Sequence, residues 1–281
     1  MDWRFLEYQV ADPAWNMAVD EAVFLNYLQG DAPPTLRCYG WNPATLSVGY
    51  FQDLDREVNL ATLHAGGYGL VRRSTGGRAV FHDRELTYSV VAGARDGLPD
   101  NLRESYLYIA RALVEALKQF GIEPELHQGQ GGLARHAQTG ACFEAPSWYE
   151  LTLAGRKLVG SAQYRKAGCF MQHGSILLEF SAGDLFRLLK MTDSLEQFQI
   201  TMGQRVTSLG EQRIVVDPAE LAGKIATAFA GLYGMTIRPG RLAPPELALA
   251  RQLAAEKYAD ETWTLRRGHS RNERVISRQS D

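Results

Sequence analysis

The chain has 281 residues, 45% of them hydrophobic and 22% charged, a composition typical of a folded protein and not of a disordered one. The 30 basic and 32 acidic side chains give a formal net charge of −2, which argues against a broad nucleic-acid-binding surface. No apolar run reaches the length of about 18 residues that a membrane span needs, and the first residues lack the apolar core of a secretory signal, so we expect a cytoplasmic protein.

The first half of the chain predicts helices among several short strands. Asp12-Pro13 has the pattern of a helix start, an N-cap oxygen followed by proline, and Gly30 has the pattern of a helix end. A second amphipathic helix is predicted over 102–120 and a shorter one over 53–64. The predicted strands cover 3–10, 35–39, 45–50, 70–71, 79–81 and 86–90.

The second half predicts a hairpin with its turn at Gly155, and then further strands and helices. The predicted elements are strands over 148–153, 157–162 and 170–178, helices over 218–232 and 244–258, and a glycine-rich mobile loop over 127–141. Strands and helices mix without strict alternation, which favours an α+β fold with a mixed β-sheet and flanking helices. Because no linker precedes about residue 240, we predict one domain over 1–240 and a helical C-terminal extension with a frayed end over 241–281.

The segment RRSTGGRAVFHD, which begins at Arg72, is the densest motif in the first half. Two adjacent glycines, Gly76 and Gly77, let the backbone approach a ligand closely, and their N–H groups suit a carbonyl or carboxylate. Arg73 and Arg78 add positive charge for an anionic group. From these residues alone, a tight turn with solvated arginines is an equally simple interpretation, and no P-loop or dinucleotide fingerprint is present.

A cysteine and a lysine form a second candidate site. Cys142 stands at the end of the glycine-rich loop, where a thiol is accessible as a nucleophile must be. A free thiol has a pKa of about 8.5, so it needs a nearby cation or base to ionise at neutral pH. Lys157 follows across the predicted hairpin and is placed to supply that cation. The alternative is a buried structural cysteine and an ordinary turn lysine.

The other two cysteines are weaker candidates. Cys169 precedes His173 by four residues in a predicted strand, which puts the two side chains on one face but about 13 Å apart. That distance is too long for direct activation. Cys38 lies within an early strand and is expected in the core, and the three cysteines form no zinc-ligand pattern. His82 and His173, each taken alone, are more often structural histidines than catalysts.

Together these motifs resemble the lipoate–protein ligase and octanoyltransferase superfamily, which shares its catalytic fold with biotin protein ligases. Five segments in order carry the resemblance: NMAVDEA from Asn16, RRSTGGRAVFHD from Arg72, GRKLVGSAQ from Gly155, QHGSIL from Gln172 and KYADETW from Lys257. They span roughly residues 3–267, so the resemblance implies a biotin/lipoate protein ligase-like fold for most of the chain.

The segment CFEAPSWYEL, which begins at Cys142, resembles one branch of that superfamily, the cysteine-dependent octanoyltransferases. This implies that Cys142 is the nucleophile and that Lys157 lowers its pKa. The other bacterial branch places its cysteine three residues before the histidine, whereas Cys169 stands four before His173, which turns its side chain to the opposite face. The substrate-binding residues that the resemblance implies are Arg73, Gly76, Gly77, His82, Gly160, Ser161, Gln163, His173 and Gly174.

The resemblance also implies the reaction and its partners. Octanoyl would move from octanoyl-acyl carrier protein to a lysine of the glycine cleavage H protein or another lipoyl domain, with no cofactor, ATP or metal, because the thioester is already activated. No nucleic acid or membrane partner is expected. An apolar tunnel would hold the chain, with Tyr39, Val80, Leu158 and Val159 as expected lining. The candidate basic residues for protein docking are Arg72, Arg73, Arg78, Arg156, Arg165 and Lys166.

Three other interpretations remain open at this point. An ATP-dependent lipoate ligase and a lipoyl amidotransferase would use the same fold. A catalytically silent acyl-binding or protein-binding module is the third, and it would gain no covalent mass from an acyl donor.

Overall fold

The computed structural model describes residues 2–128 and 149–266, so Cys142 lies outside the described residues. The described strands are β1 (Asp2–Ala11), β2 (Thr35–Trp41), β3 (Thr45–Val48), β4 (Gly69–Arg72), β5 (Val80–His82), β6 (Glu85–Gly93), β7 (Glu125–Gln128), β8 (Tyr149–Leu153), β9 (Arg156–Lys166), β10 (Cys169–Leu177) and β11 (Thr236–Pro239). The described helices are α1 (Pro13–Gln29), α2 (Leu54–Glu57), α3 (Leu60–Ala65), α4 (Leu102–Lys118), α5 (Ala182–Leu188), α6 (Leu195–Arg205), α7 (Pro218–Tyr233), α8 (Pro244–Leu253) and α9 (Glu261–Arg266).

One large mixed sheet organises the described residues, with strand order β11-β1-β2-β6-β10-β9-β8-β7. β1 pairs in parallel with β11 and β2, whereas the ladders from β2 to β7 are antiparallel. A small sheet, β4-β3-β5, stands apart from it. The predicted α+β fold with a mixed sheet and flanking helices is therefore confirmed.

The two faces of the large sheet bury different side chains, because successive residues of a strand point to opposite sides. On one face, residues such as Tyr88 and Phe170 join the core that α4 and α7 complete. On the other face, residues such as Tyr39 and Met171 pack with α1. The small sheet has its own apolar cluster with α5 and α6.

Local signals place the ends of α1 where the sequence predicts them. The Asp12 carboxylate accepts a hydrogen bond from the Trp15 N–H at 2.9 Å, which satisfies one of the free N–H groups of the first turn. Gly30 ends the helix with φ of 92°, a left-handed conformation that favours glycine. The predicted hairpin turn is also confirmed, since β8 and β9 meet at Ala154 and Gly155.

Several elements differ from the sequence prediction. His127, predicted in a mobile loop, lies in β7, a short strand that pairs with β8, and the rest of that loop lies outside the described residues. The helix predicted over 53–64 is two short helices, because Val58 forms an isolated bridge with Leu189 between them. The helices α5, α6 and α9 and the strand β11 were not predicted.

The C-terminal segment packs directly on the first elements of the chain. α8 contacts α1, and Arg4 on β1 forms a buried ion pair with Glu246 at 2.5 Å. The same guanidinium donates to the Thr35 hydroxyl at 2.9 Å, so its buried charge has several partners. The division of the chain at residue 240 stays a prediction. None of the helices in the described part of the chain combines the length and the apolar character that crossing a bilayer requires.

Candidate active site

A pocket opens between the α1 face of the large sheet and the small sheet. It encloses about 350 Å³ of space, part of it open to solvent, and its walls include Met17, Tyr39, Trp41 and Val80. Six residues singled out from the sequence also line it: Arg73, His82, Gly160, Ser161, His173 and Gly174. The sheets therefore bring together residues that are up to about a hundred positions apart in the chain.

The expected tunnel lining is partly wrong. Tyr39 and Val80 line the pocket, but Leu158 and Val159 belong to the core on the α4 face. Gly160 is the point at which β9 begins to contribute to the pocket. Periodicity alone could not assign these residues to a face, because a register shift between Leu151 and Thr152 interrupts the β8–β9 ladder.

Arg73 is the centre of the pocket's polar wall. Its side chain is buried and donates to the Ser47 hydroxyl at 2.8 Å, to the Thr75 hydroxyl at 3.4 Å and to the backbone carbonyls of Gly76 and Arg78 at 3.1 and 2.9 Å. It thus connects β3 with the glycine turn, and its charge is satisfied within the protein. A buried guanidinium with so many acceptors is a structural tie as well as a source of positive potential.

The neighbouring arginine corrects a second expectation. Arg72 is fully buried and donates to the backbone carbonyls of Gly49, Tyr50 and Gln52 at 2.9 to 3.0 Å. Neither Arg72 nor Arg73 is solvated, so neither belongs to a surface patch for docking. The carbonyl partners of Arg72 lie on the loop after β3, and Arg73 also reaches Ser47 on that strand, which explains why the sequence motif alone suggested an exposed turn.

Gly76 and Gly77 have different surroundings in the turn. Gly77 has φ of 95°, in the region that favours glycine, and its carbonyl oxygen would lie 2.0 Å from a Cβ placed on Gly49. The turn therefore packs against the loop after β3 without space for a methyl group. Gly76 instead borders a wider groove next to the pocket, and Gln163 borders the same groove.

Two buried histidines stand on opposite sides of the pocket. His82 stacks on Trp41 with 4.3 Å between ring centroids, and its Nε2 lies 2.7 Å from the Ser47 hydroxyl. His173 Nε2 lies 2.7 Å from the Thr75 hydroxyl, and its Nδ1 lies 3.7 Å from a carboxylate oxygen of Asp20. Burial lowers the pKa of both histidines, so both rings are neutral at physiological pH.

Asp20 is a buried carboxylate that the sequence did not single out. Burial would raise its pKa, but the positive charge of Arg37 and the hydrogen bonds that the carboxylate accepts outweigh that cost, and the pKa is lowered. Arg37 donates at 2.7 Å and the Tyr39 hydroxyl at 2.9 Å. The residue lies in the NMAVDEA segment, and an acidic residue on an otherwise buried helix face is the signal that would have found it.

Lys157 is the second residue of β9, and its side chain is only 5% exposed. Its ammonium nitrogen lies 3.3 Å from a carboxylate oxygen of Glu150, which is on the adjacent strand β8. Thr207 donates its backbone N–H to the Lys157 carbonyl at 3.0 Å. Lys157 is therefore a buried cation in a fixed position and not a solvated turn lysine. Its predicted partner, Cys142, lies outside the described residues.

The other two thiols are buried in the core and not activated. Burial raises the pKa of Cys38 well above its usual range. Burial also raises the pKa of Cys169, whose sulfur lies 3.6 Å from the Ala167 carbonyl oxygen. Neither thiol lines the pocket between the two sheets. The assignment of the nucleophile to Cys142 and not to Cys169 stays a prediction.

Comparison with known proteins decides the family. Residues 12–230 match the family described as "Lipoyl protein ligase A/B catalytic domain". Octanoyltransferase LipM of Moorella thermoacetica is 44% identical over 271 residues, which cover 94% of this chain and 98% of that protein. The chain belongs to the LipM octanoyltransferase family. Octanoyltransferase LipM of Bacillus subtilis is 37% identical over 276 residues, with 94% and 98% of the two chains covered.

Solved structures share the fold of this LipM family member. A lipoate-protein ligase A bound with ATP has a TM-score of 0.77 and 25% identity, and the match covers 94% of this chain and 99% of that one. A bipartite lipoate protein ligase from Thermoplasma acidophilum has a TM-score of 0.77 at 23% identity, with 94% and 96% covered. The predicted ligase-like fold is therefore confirmed.

Proposed function

We propose that this acyltransferase forms an acyl-enzyme at Cys142 and passes an octanoyl group from a thioester donor to a lysine of a lipoyl domain. Membership of the LipM family supports octanoyl transfer in lipoate biosynthesis. The pocket between the two sheets, hereafter the acyl pocket, carries the proposal. Its apolar wall, which includes Met17, Trp41 and Val80, suits an alkyl chain, and its polar wall carries Arg73 and two neutral histidines.

The acyl pocket would bind the alkyl chain and take no part in bond making or breaking. Burying one methylene contributes about 0.8 kcal/mol, so the six methylenes of an octanoyl chain contribute about 5 kcal/mol when fully enclosed. Trp41 and Val80 form part of the enclosing wall, and their contacts replace water around the chain. The depth of the pocket would then select the length of the chain.

The position of Lys157 supports its role beside the thiol. Cys142 precedes the start of β8 by seven residues, a stretch that reaches at most about 25 Å. Glu150, the second residue of β8, lies 3.3 Å from the Lys157 ammonium nitrogen, so the strand that follows Cys142 passes the end of the lysine side chain. A buried ammonium is poorly screened and stabilises a nearby thiolate. A thiol with a pKa of about 8.5 is only a few per cent ionised at pH 7, and one with a pKa of about 7 is half ionised.

The reaction then follows in two balanced steps. The Cys142 thiolate attacks the thioester carbon, the bond from that carbon to the donor sulfur breaks, and the donor leaves as a thiol after taking a proton. The unprotonated amine of the acceptor lysine attacks the enzyme thioester, the bond to the Cys142 sulfur breaks, and the amide nitrogen loses a proton. Lys157 stabilises the thiolate at the start and at the end of this cycle.

The partners are proposed at two levels. LipM relatives support an acyl donor and a lipoyl-domain acceptor in general. We further propose octanoyl-acyl carrier protein as the donor and the glycine cleavage H protein as an acceptor. Among the predicted docking residues, Lys166 borders the groove next to the acyl pocket, and Arg165 borders it while donating to the Asp100 carboxylate at 3.2 Å.

Alkylation of Cys142 tests the role of Lys157. Iodoacetamide labelling of Cys142, followed by peptide mass spectrometry across pH, should give a midpoint below 8.5 in the wild type, because a nearby cation favours the thiolate. Lys157→Met keeps the apolar stem and should raise the midpoint. Lys166→Met removes a charge from the far end of the same strand and is the matched control. Equal midpoints in the wild type and Lys157→Met would contradict the proposed pair.

A further inference from the structure

We propose that Arg73 is a positioning residue that fixes both histidines of the acyl pocket as neutral rings with the proton on Nδ1. The proposal rests on the proposed function only for the identity of the ligand in the pocket. It assigns a positioning role to Arg73, since the orientation of two hydrogen-bond chains decides which nitrogen of each histidine ring carries the proton. The two chains run from Arg73 through Ser47 to His82, and from Arg73 through Thr75 to His173.

The Ser47 and Thr75 hydroxyl groups each lie between Arg73 and a histidine. A guanidinium donates hydrogen bonds and accepts none, so the Ser47 and Thr75 oxygens must accept from Arg73, at 2.8 and 3.4 Å. Each hydroxyl then has its own proton to donate. Within the described residues, the remaining side-chain partner of each is a histidine Nε2 at 2.7 Å. Both histidines therefore accept at Nε2.

The Nδ1 atom of each histidine ring, opposite Nε2, faces a carboxylate. His82 Nδ1 lies 3.4 Å from a Glu85 carboxylate oxygen, and His173 Nδ1 lies 3.7 Å from an Asp20 carboxylate oxygen. Both nitrogens are buried, and within the described residues neither has a hydrogen-bond partner, so the carboxylate is the nearest charged group to each. A lone pair facing a carboxylate would be repelled, whereas an N–H is attracted. The carboxylates therefore favour the same tautomer as the hydroxyls.

Burial and the charge of Arg73 both oppose protonation of the two histidine rings. Burial lowers the pKa of each histidine, and the positive charge of Arg73 acts in the same direction on both. One guanidinium thus directs two proton positions and opposes protonation at both. The pocket therefore presents two uncharged rings to the ligand, which suits an aliphatic acyl group.

Nitrogen-15 NMR of histidine-labelled enzyme, without substrate, tests the tautomers directly. His82→Gln and His173→Gln identify the two sets of signals among the six histidines of the chain. We expect both rings to show a protonated Nδ1 and an unprotonated Nε2 at pH 7.5. Signals of the Nε2-protonated tautomer, or of a doubly protonated ring, would overturn the proposal.

Two single variants test the two hydrogen-bond chains separately. Ser47→Ala should change the nitrogen signals of His82 and leave those of His173, and Thr75→Val should do the reverse. In each variant the unaffected histidine reports that the fold is intact. Arg73→Lys keeps the charge but loses the fork of donors, so it should change both histidines. Unchanged signals at both rings in Arg73→Lys would contradict the role of the guanidinium.

A kinetic measurement links the tautomers to ligand binding. Without its hydroxyl partner a ring can take the other tautomer, and the donor must then restore the Nδ1–H form on binding; a tenfold loss of affinity corresponds to about 1.4 kcal/mol. Ser47→Ala and Thr75→Val should therefore raise KM for the octanoyl donor about tenfold with little change in kcat. An equal fall in kcat with unchanged KM would contradict a role in chain binding. Because the NMR result needs no substrate, it stands or fails independently of the proposed reaction.

Discussion

Replacing Gly174 with alanine tests the packing at the floor of the acyl pocket. A Cβ at this position would lie 2.6 Å from the Ser161 hydroxyl oxygen, 2.6 Å from a ring carbon of Tyr88 and 2.8 Å from the Gly160 carbonyl oxygen. Ser161 can rotate, but it would lose its 2.7 Å hydrogen bond to the Tyr88 hydroxyl. The Tyr88 ring is fully buried and Gln172 also donates to its hydroxyl at 2.9 Å, so moving the ring would break a second hydrogen bond.

The expected cost follows from these contacts. Forcing one methyl group into a packed interior lowers the free energy of unfolding by about 1–3 kcal/mol. A change of about 2 kcal/mol lowers the Tm of a chain of this size by about 4–8 °C. Because Gly160, Ser161 and Gly174 all line the acyl pocket, the same displacement should also weaken binding of the octanoyl donor.

Differential scanning calorimetry and donor KM measure the two effects. Gly223→Ala is the matched control, since Gly223 lies within α7 and a Cβ there meets nothing within 4 Å. That variant should raise the free energy of unfolding by about 0.5–1 kcal/mol through helix propensity. A Gly174→Ala protein with wild-type Tm and wild-type KM would refute the packing argument.

Three further outcomes are expected. Glu246→Ala should lower the free energy of unfolding by about 3–5 kcal/mol in chemical denaturation, because it leaves the Arg4 charge buried without its partner, and the double variant Arg4→Met/Glu246→Met should recover part of that loss. The fold lowers the pKa values of His82 and His173, so below pH about 6.5 the unfolded chain binds more protons than the folded one. The Tm should therefore fall as the pH falls through that value. The decrease should be smaller in the His82→Gln/His173→Gln variant. Cys169→Ala should keep most transfer activity in a steady-state assay, and loss of activity would show that the wrong cysteine has been assigned.

The elements that the sequence predicts well are those with strong local signals. α1 has both a capping aspartate and a C-terminal glycine, and the β8–β9 hairpin has Gly155 at its turn. Such features depend on a few neighbouring residues, so they survive in any tertiary context. Helices α5 and α6, which were not predicted, also have serine N-caps, Ser181 and Ser194. Both helices are short, however, and each buries only two residues.

The site residues show where local reasoning ends. Arg72 and Arg73 have the composition of a solvated turn, and only the fold brings the carbonyls and hydroxyls that bury them. Asp20 and His173 are 153 positions apart in the sequence and meet because α1 packs on the face of β10. The family resemblance predicts the segments that matter, but the contacts between them depend on the tertiary fold.

The most direct test of the account is the mass of the intact protein after mixing with octanoyl-acyl carrier protein in the absence of ATP. We expect the wild type to gain the mass of one octanoyl group, located on Cys142 by peptide mapping. Cys142→Ala should gain none, and addition of the lipoyl-domain acceptor should remove the group from the wild type. A modification that requires ATP would indicate a ligase, a group on Cys169 would move the nucleophile, and no covalent mass at all would contradict the acyl-enzyme.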